Sequence, residues 1–470
     1  MEIKKIFINS IWFGVIPKIS TFINILLLPI LTPFLTPDDY GLWGLISAYV
    51  AIALSIYSLG LHMHLDNSFY EYKSNFTKVW GRLLFILLTS AAIFSIVLAV
   101  FIFLLLKQIS FPLRILAAIF ASFPVLFNAN VLLANHLYVL KSKPKPLVLR
   151  NLLSSLTGVL VLFISVYVFD LGYLGFVFGA ATTAVFSFLL FIYPLWIEED
   201  IYPRVERNMI RLKINLKQSL PVIPHALGFI LISSSSRIIL DWYDVSISDI
   251  GLFSNGYMMG DYITILTTAV VVSIVPKMQE FYRSKQFSEY RKYYYFSQGV
   301  SLFAIILFSI WMPEIYQLLI RNEELQPAHL IAQKICFSNI VLPLYFFMSN
   351  SPFIEKKAIQ LLWLVFLPGL INIFLCILLI PIYGYEVAIY TTIIAYWSLL
   401  LVPFISSYYK LKVGLWLGSP MKIIVLFLLF LFCFIISNLI SSLAIDKKFI
   451  FSVILLIIFF LFLKKFLKNK

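Results

Sequence analysis

Long apolar runs, separated at short intervals by small clusters of charged residues, set the rhythm of this chain from one end to the other. Fourteen of them fall at about 6–32, 41–65, 82–106, 112–140, 147–169, 174–196, 218–240, 251–276, 294–311, 328–349, 359–382, 385–408, 421–443 and 449–463. A hydrocarbon core of roughly 30 Å is crossed by about 20 apolar residues in a helix. No soluble stretch interrupts the series. The pattern predicts an all-α polytopic membrane protein with about fourteen transmembrane helices.

Composition sharpens that picture. Of 470 residues, 61% are hydrophobic and 12% charged, and the mean hydropathy is +0.96, which leaves too little polar surface for a water-soluble fold. The opening MEIKK runs into a long apolar segment without a small-residue cleavage site, so the first helix is expected to stay as an uncleaved anchor. Cys336, Cys376 and Cys433 all fall within apolar runs and show no paired spacing. They predict packing residues, with neither a disulfide framework nor a metal site.

Charge supplies an orientation. With the N-terminus on the cytoplasmic side and every run crossing, 28 Lys and Arg fall in inside segments and 5 (Lys107, Arg114, Arg321, Lys447, Lys448) in outside loops. That asymmetry follows the positive-inside rule and predicts both termini in the cytoplasm. The formal charge of +14 is then spread over short loops facing an anionic lipid surface, and calls for no nucleic-acid partner. The three remaining cations, Lys18, Arg237 and Lys334, lie inside runs 1, 7 and 10.

The chain also repeats itself. VIPK at 15–18 is matched by VIPH at 222–225, and DYGLWG at 39–44 by DIGLFS at 249–254. Two matches at nearly one offset predict a duplicated unit: an N-lobe over 1–196 (runs 1–6), a basic cytoplasmic linker over 197–217, a C-lobe over 218–408 (runs 7–12), and two added helices over 409–470. Pro17, Pro29, Pro221 and Pro224 fall in the first helix of each lobe, where proline removes backbone hydrogen bonds and bends the helix.

These features resemble the MOP (MATE-like) superfamily of exporters, and within it the Wzx-type flippases for lipid-linked polysaccharide units. The resemblance spans essentially the whole chain and is carried by LTPDDYGLWGLISAY (35–49), SLGLHMHLDNSFYEY (58–72), SLPVIPHALGFILISSSSRIIL (219–240), GLFSNGY (251–257) and NIFLCILLIPIYGYEVAIYTTIIAYW (372–397). The chain departs from the family pattern at Ser236, where Asp commonly precedes the Arg, at Asn67, near which an Arg is common, and at Cys376, commonly Asn. The resemblance implies two six-helix bundles around a central cavity that opens alternately to either side. It implies outward movement of an undecaprenyl-diphosphate-linked oligosaccharide of O-antigen or capsule type in a bacterial inner membrane. A polysaccharide polymerase and chain-length proteins are implied partners, with membrane lipids. No cofactor is expected, and coupling to a proton or sodium gradient is.

An intramembrane Lys or Arg costs about 2.5–3.5 kcal/mol on insertion scales, so each is a functional candidate unless a partner explains it. Lys18 is the deepest, with a buried ion pair as the alternative. Arg237 lies about one turn from the outer end of run 7, and its alternative is an i,i+4 pair with Asp241; Ser233 and Ser234 extend a polar stripe inward from it. Lys334 is open between substrate contact and a structural partner. His225 matches Lys18 in the second lobe, and packing is its alternative. Asp261 is the acid deep in a run, readable either as an ion-coupling site or as a counter-charge. Asn24, Asn255 and Asn372 are open between sugar contacts and helix–helix hydrogen bonds.

Other classes are weaker. Glycan polymerases and ligases need a sizeable outer loop, whereas the longest here, about 312–327, holds one Arg and no His, and no HExxH, GxSxG or Walker sequence occurs. An enzyme is therefore not expected. A multidrug or cation antiporter would carry an excess of acids over bases inside the membrane, the reverse of this chain. A lipid II-type flippase, whose cargo bears the same diphosphate, is the nearest alternative.

Overall fold

In the computed structural model, residues 19–72, 75–141, 143–206, 209–220, 223–355, 357–417, 419 and 421–468 are described. Pro17, Lys18 and Pro221 lie outside them. Every regular element among the described residues is helical. Eleven helical segments are long and apolar enough to cross a membrane, or twelve if Lys213–Ser219 and Ile223–Ser233, whose axes turn by 42°, form one span. The two remaining runs lie at the ends: the first is described only from Ile19, over the apolar Ile19–Phe34, and the last lies in a helix, Ile445–Lys468, that carries charges at both ends.

The chain divides into two compact units, Met1–Ile230 and Leu231–Lys470. The first contains α1 (Ile19–Leu31), α2 (Pro37–Ile56), α3 (His62–Glu71), α4 (Phe76–Leu105), α5 (Phe111–Leu126), α6 (Ala129–Leu140), α7 (Pro144–Phe163), α8 (Tyr173–Ile192) and α9 (Met209–Ser219). A further helix, α10 (Ile223–Ser233), runs across the boundary. The short α3 is not one of the spanning helices. Its Ser68 accepts a hydrogen bond from the fully buried Trp80 indole at 3.0 Å, which ties it to α4. Pro29 sits inside α1. Pro224 is the second residue of α10, a position where the missing N–H costs no helix bond.

The second unit contains α11 (Ser235–Trp242), α12 (Ile247–Asp261), α13 (Ile263–Arg283), α14 (Phe287–Ile310), α15 (Met312–Leu319), α16 (His329–Ile335), α17 (Leu342–Ile354), α18 (Ala358–Tyr383), α19 (Val387–Trp397), α20 (Ser407–Leu417), α21 (Met421–Ser441) and α22 (Ile445–Lys468). Large apolar side chains such as Leu26, Ile96, Phe374 and Phe460 are two-thirds exposed or more, as surfaces facing lipid would be. The last two helices pack on this unit: Phe303 stacks on Phe459 with ring centroids 4.2 Å apart, and Lys448, 2% exposed, pairs with Glu314 at 2.6 Å.

The repeated motif has a local structural counterpart in each unit. Thr36 caps α2, its Oγ1 accepting from the Asp39 N–H at 3.3 Å while Asp39 Oδ2 accepts from the Thr36 N–H at 2.9 Å. Ser246 caps α12, accepting from the Asp249 N–H at 3.1 Å while its hydroxyl donates to Asp249 Oδ2 at 2.7 Å. Both caps satisfy a helix-end donor, and the one at Thr36 is a full capping box. Asp39 then reaches the start of α8, accepting from the Tyr173 N–H at 2.8 Å. Gly172 permits this: its φ is +53°, and a Cβ there would fall 2.2 Å from Asp39 Oδ1. In the second unit Gly384, φ +75°, precedes Tyr385, which Asp249 reaches electrostatically.

Candidate functional site

The second unit interrupts several of its helices, and the interruptions carry the polar residues. The chain leaves helical geometry at Ser234 between α10 and α11, and turns at Tyr262 between α12 and α13. Between α16 and α17 it tightens into a 3₁₀ segment over Cys336–Val341. Non-helical backbone at membrane depth needs partners for its freed polar groups, so it persists where protein or water supplies them.

At the first break Asn372 supplies them. Its Nδ2 lies 3.3 Å from the Leu231 carbonyl, 3.2 Å from that of Ile232, 3.0 Å from Ser235 Oγ and 3.1 Å from Ser236 Oγ. Ser236 Oγ in turn lies 3.5 Å from Cys376 Sγ and 3.3 Å from Thr392 Oγ1. Two positions at which the sequence departs from the family pattern, Ser236 and Cys376, therefore touch each other. Both are uncharged and small, and they close a neutral network that holds α11 on α18 and α19.

The residue after Ser236, Arg237, turns from this network to the ring of Tyr257, with Cζ 4.8 Å from the ring centroid. Tyr257 is hydrogen-bonded to Tyr396, and Asp261, one turn along α12, acts electrostatically on Arg237 and on both tyrosines. Asn339, in the 3₁₀ segment, donates to Asp261 Oδ1 at 3.3 Å. Gly256 and Gly260 make the approach possible, since a Cβ on either would fall 2.8 or 2.6 Å from the carbonyls of Ala328 and Ala332; close glycine-mediated contact of this kind is a common way to pack membrane helices. Among the described residues Arg237 forms no ion pair, with Asp241 or any other carboxylate, and its Nε has no hydrogen-bond partner.

Lys334 is half-buried on α16, with Nζ 5.1 Å from the centroid of the Tyr390 ring and no ion pair among the described residues. Tyr390 is also on the wall of an apolar groove of about 560 Å³, shared with Ile394, Trp397, Phe404, Ile424 and Phe427, between α19 and α21. Ser233 and Ser234 lie 3.4 Å apart, Oγ to Oγ, at the helix break. Asn255 and Asn372 are used in helix–helix bonding, Asn255 Oδ1 accepting from Tyr316 at 2.6 Å.

The first unit holds His225, against Phe229 and within electrostatic reach of His62. The structure brings Arg237, Asp261 and Asn339 together, adds Tyr257 and Tyr396, and sets Lys334 against Tyr390. The two tyrosines carry no signal in a hydropathy profile. The i to i+4 spacing of Tyr257 from Asp261, within the GYxxG of α12, would have marked one of them. Among the described residues no group of three or more His, Cys, Asp or Glu is arranged to hold a metal ion.

Comparison with known proteins adds the context. The family described as "Polysaccharide biosynthesis protein" matches residues 6–282, more than half of the chain. No curated protein matches by sequence. Among solved structures, an inward-facing multidrug resistance MATE transporter of the MOP superfamily superposes with a TM-score of 0.63 at 13% identity, covering 89% of this chain and 98% of that one. An outward-facing form gives 0.58 at 12%, covering 87% and 96%. A MOP superfamily transporter from Pyrococcus furiosus, described as having a binding pocket of reverse polarity, gives 0.55 at 12%, covering 88% and 96%. At such identities the likeness is one of fold.

Proposed function

Because the chain belongs to the polysaccharide biosynthesis protein family, and has the fold of MOP superfamily transporters, we propose that it is a flippase that moves an undecaprenyl-diphosphate-linked oligosaccharide from the cytoplasmic to the outer leaflet of a bacterial inner membrane. The observation that carries this reading is Arg237, a guanidinium within the helical bundle that no carboxylate neutralises by direct contact among the described residues. A diphosphate crossing hydrocarbon without compensation faces a prohibitive desolvation cost. A guanidinium fork replaces lost water with charge-assisted hydrogen bonds, and an ammonium such as that of Lys334 adds a point charge.

The lipid half of such a cargo has a counterpart too. The groove beside Tyr390 is apolar along its walls, and Lys334 sits at its Tyr390 edge, which suits a polyprenyl tail with its anionic head at the lysine. Asp261 is the proposed coupling group for a proton or sodium gradient, since it is the carboxylate nearest the guanidinium in the electrostatic sense. The distribution of basic residues supports a cytoplasmic position for both termini.

Transfer of a labelled lipid-linked oligosaccharide across reconstituted vesicles tests the reading. Transfer that requires the protein and falls in Arg237→Ala, at unchanged protein level, is the expected result. Transfer of lipid II in place of the oligosaccharide, or of cationic drugs in place of both, overturns it in favour of the corresponding alternative.

A further inference from the structure

The first unit gathers four of the chain's five histidines on α3 and its neighbours. His62 and His136 face each other with ring centroids 6.0 Å apart and planes 28° from parallel. His136 Nδ1 lies 2.7 Å from Asp66 Oδ1. His225 is close enough to act on His62 electrostatically, and His64 Nε2 contacts the Asn215 carbonyl at 3.0 Å. The residues come from α3, α6 and α10, so the fold assembles a group that the chain disperses over more than 160 positions. It is not sealed within the protein: the His136 side chain is 24% exposed and that of Asp66 50%.

The charges on neighbouring elements point elsewhere or face water. On α4, Arg82 is 3.9 Å from Glu206. At the end of α6, Lys141 pairs with Glu199. On α9, Lys213 and Lys217 are exposed, as is Glu71 at the far end of α3. Desolvation and then His136 lower the pKa of the His62 imidazole from its ordinary value, Asp66 opposes them, and His225 adds to the lowering. Asp66 thus faces His136 directly and acts on His62, the imidazole that His225 reaches. With the imidazoles neutral the cluster carries the Asp66 charge and repels an anion; with them protonated its sign reverses. Histidine makes that change near neutral pH.

We propose that the His62–His136–Asp66 constellation, with His225, is a docking site for a phosphate oxyanion that takes up protons as the anion binds. The inference rests on the transport reading for its biological cargo, a diphosphate, but its chemistry is independent of it. The basic residues Lys213 and Lys217 on the adjacent helix favour approach of an anion to this face, which the positive-inside rule places on the cytoplasmic side. By linkage, an anion that binds the protonated form more tightly must draw protons in.

Inorganic pyrophosphate is the probe, added to the purified full chain in nanodiscs of zwitterionic lipid. Calorimetry in two buffers of different ionisation enthalpy reads the protons taken up. The expected result is binding with net proton uptake at pH 6 and an affinity at least about tenfold weaker at pH 8, the change for one linked proton. His62→Gln with His136→Gln should remove the pH dependence, while Asp66→Asn, which removes the repelling charge, should strengthen binding at pH 8. The opposite signs of these variants separate a binding role from general damage to the fold. Binding that is equal at the two pH values, or proton uptake unchanged in the double variant, overturns the proposal. Replacing part of the lipid with phosphatidylglycerol distinguishes sources: competition with pyrophosphate assigns the site to a lipid headgroup phosphate, and its absence to the soluble or cargo phosphate. A chain that binds pyrophosphate with proton uptake but moves no oligosaccharide overturns the transport reading while upholding this one.

Discussion

Arg237 lays its guanidinium over the ring of Tyr257, 4.8 Å from the centroid, and makes no ion pair with Asp241, four residues along the same helix. The helical spacing would allow that pair, so the choice of an aromatic face is informative. A cation on a desolvated ring is worth about 2 kcal/mol, and it leaves the guanidinium edge available for an anion. Tyr257→Leu should therefore destabilise the protein by about 1–2 kcal/mol and weaken glycan transfer, while Tyr257→Phe should keep the ring contact. Arg237→Lys should retain part of the transfer if charge suffices and none if the fork is needed. Equal transfer in Tyr257→Leu and the parent protein would show that the ring does not position the arginine for its work.

Asp261 lies at the turn between α12 and α13 and accepts a hydrogen bond from Asn339, so its charge is held at a fixed place near Arg237. If it couples transfer to an ion gradient, Asp261→Asn should give transfer that no longer responds to collapse of the proton or sodium gradient. Asn339→Leu, which removes the donor and keeps the carboxylate, should shift the pH at which the response appears without abolishing it. Gradient dependence that survives Asp261→Asn removes this residue from the coupling step.

Much of this architecture was legible in the chain. Runs of about twenty apolar residues report helices because the bilayer demands internally satisfied backbones, and the matched DYGLWG and DIGLFS segments each begin with an aspartate, Asp39 or Asp249, whose N–H is held by a helix cap. The breaks were not legible. A 3₁₀ segment over Cys336–Val341 keeps nearly the same hydropathy as an α-helix, and the pause at Ser234 depends on Asn372, over 130 residues away, to satisfy two carbonyls. The histidine cluster was hidden for the same reason: His62, His136 and His225 meet through tertiary packing. Lys448 reads as an outside-loop cation but is buried against Glu314, because α22 packs back along α14 and brings its first turn to Glu314.

That last pair makes a stability prediction. Lys448 is 3% exposed in its side chain and Glu314 25%, while the indole of Trp311 donates to Ser452 at 3.0 Å beside them. Removing one partner of a buried pair leaves an uncompensated charge and costs about 3–5 kcal/mol, whereas replacing both with apolar residues of similar size is often neutral. Lys448→Met alone should lower the thermal unfolding midpoint strongly, and Lys448→Met with Glu314→Leu should recover most of it. A double variant as unstable as the single would mean that the pair does more than anchor α22.

Glu355, between α17 and α18, offers a pH test outside the spanning helices. Burial alone would raise its pKa, but Lys412, Tyr282 and Tyr408 outweigh that and bring the carboxyl from 4.5 down to about 2. Tyr282 donates to Oε1 at 2.7 Å, Tyr408 to Oε2 at 2.9 Å, and the Lys412 ammonium bonds Oε1 as well. A carboxylate whose folded pKa lies below its unfolded value binds fewer protons folded than unfolded in that interval, so its contribution is complete above about pH 4.5 and is lost as pH falls through about 2. The unfolding midpoint of the parent protein should therefore drop between these values more steeply than that of Glu355→Gln, in which the group cannot titrate. Tyr408→Phe, which removes one donor to the carboxylate, should raise the folded pKa, so that the loss is complete at a higher pH and is smaller in total. Parallel curves for the parent and Glu355→Gln would show that the three helices meeting here, α13, α17 and α20, are held by their packing alone.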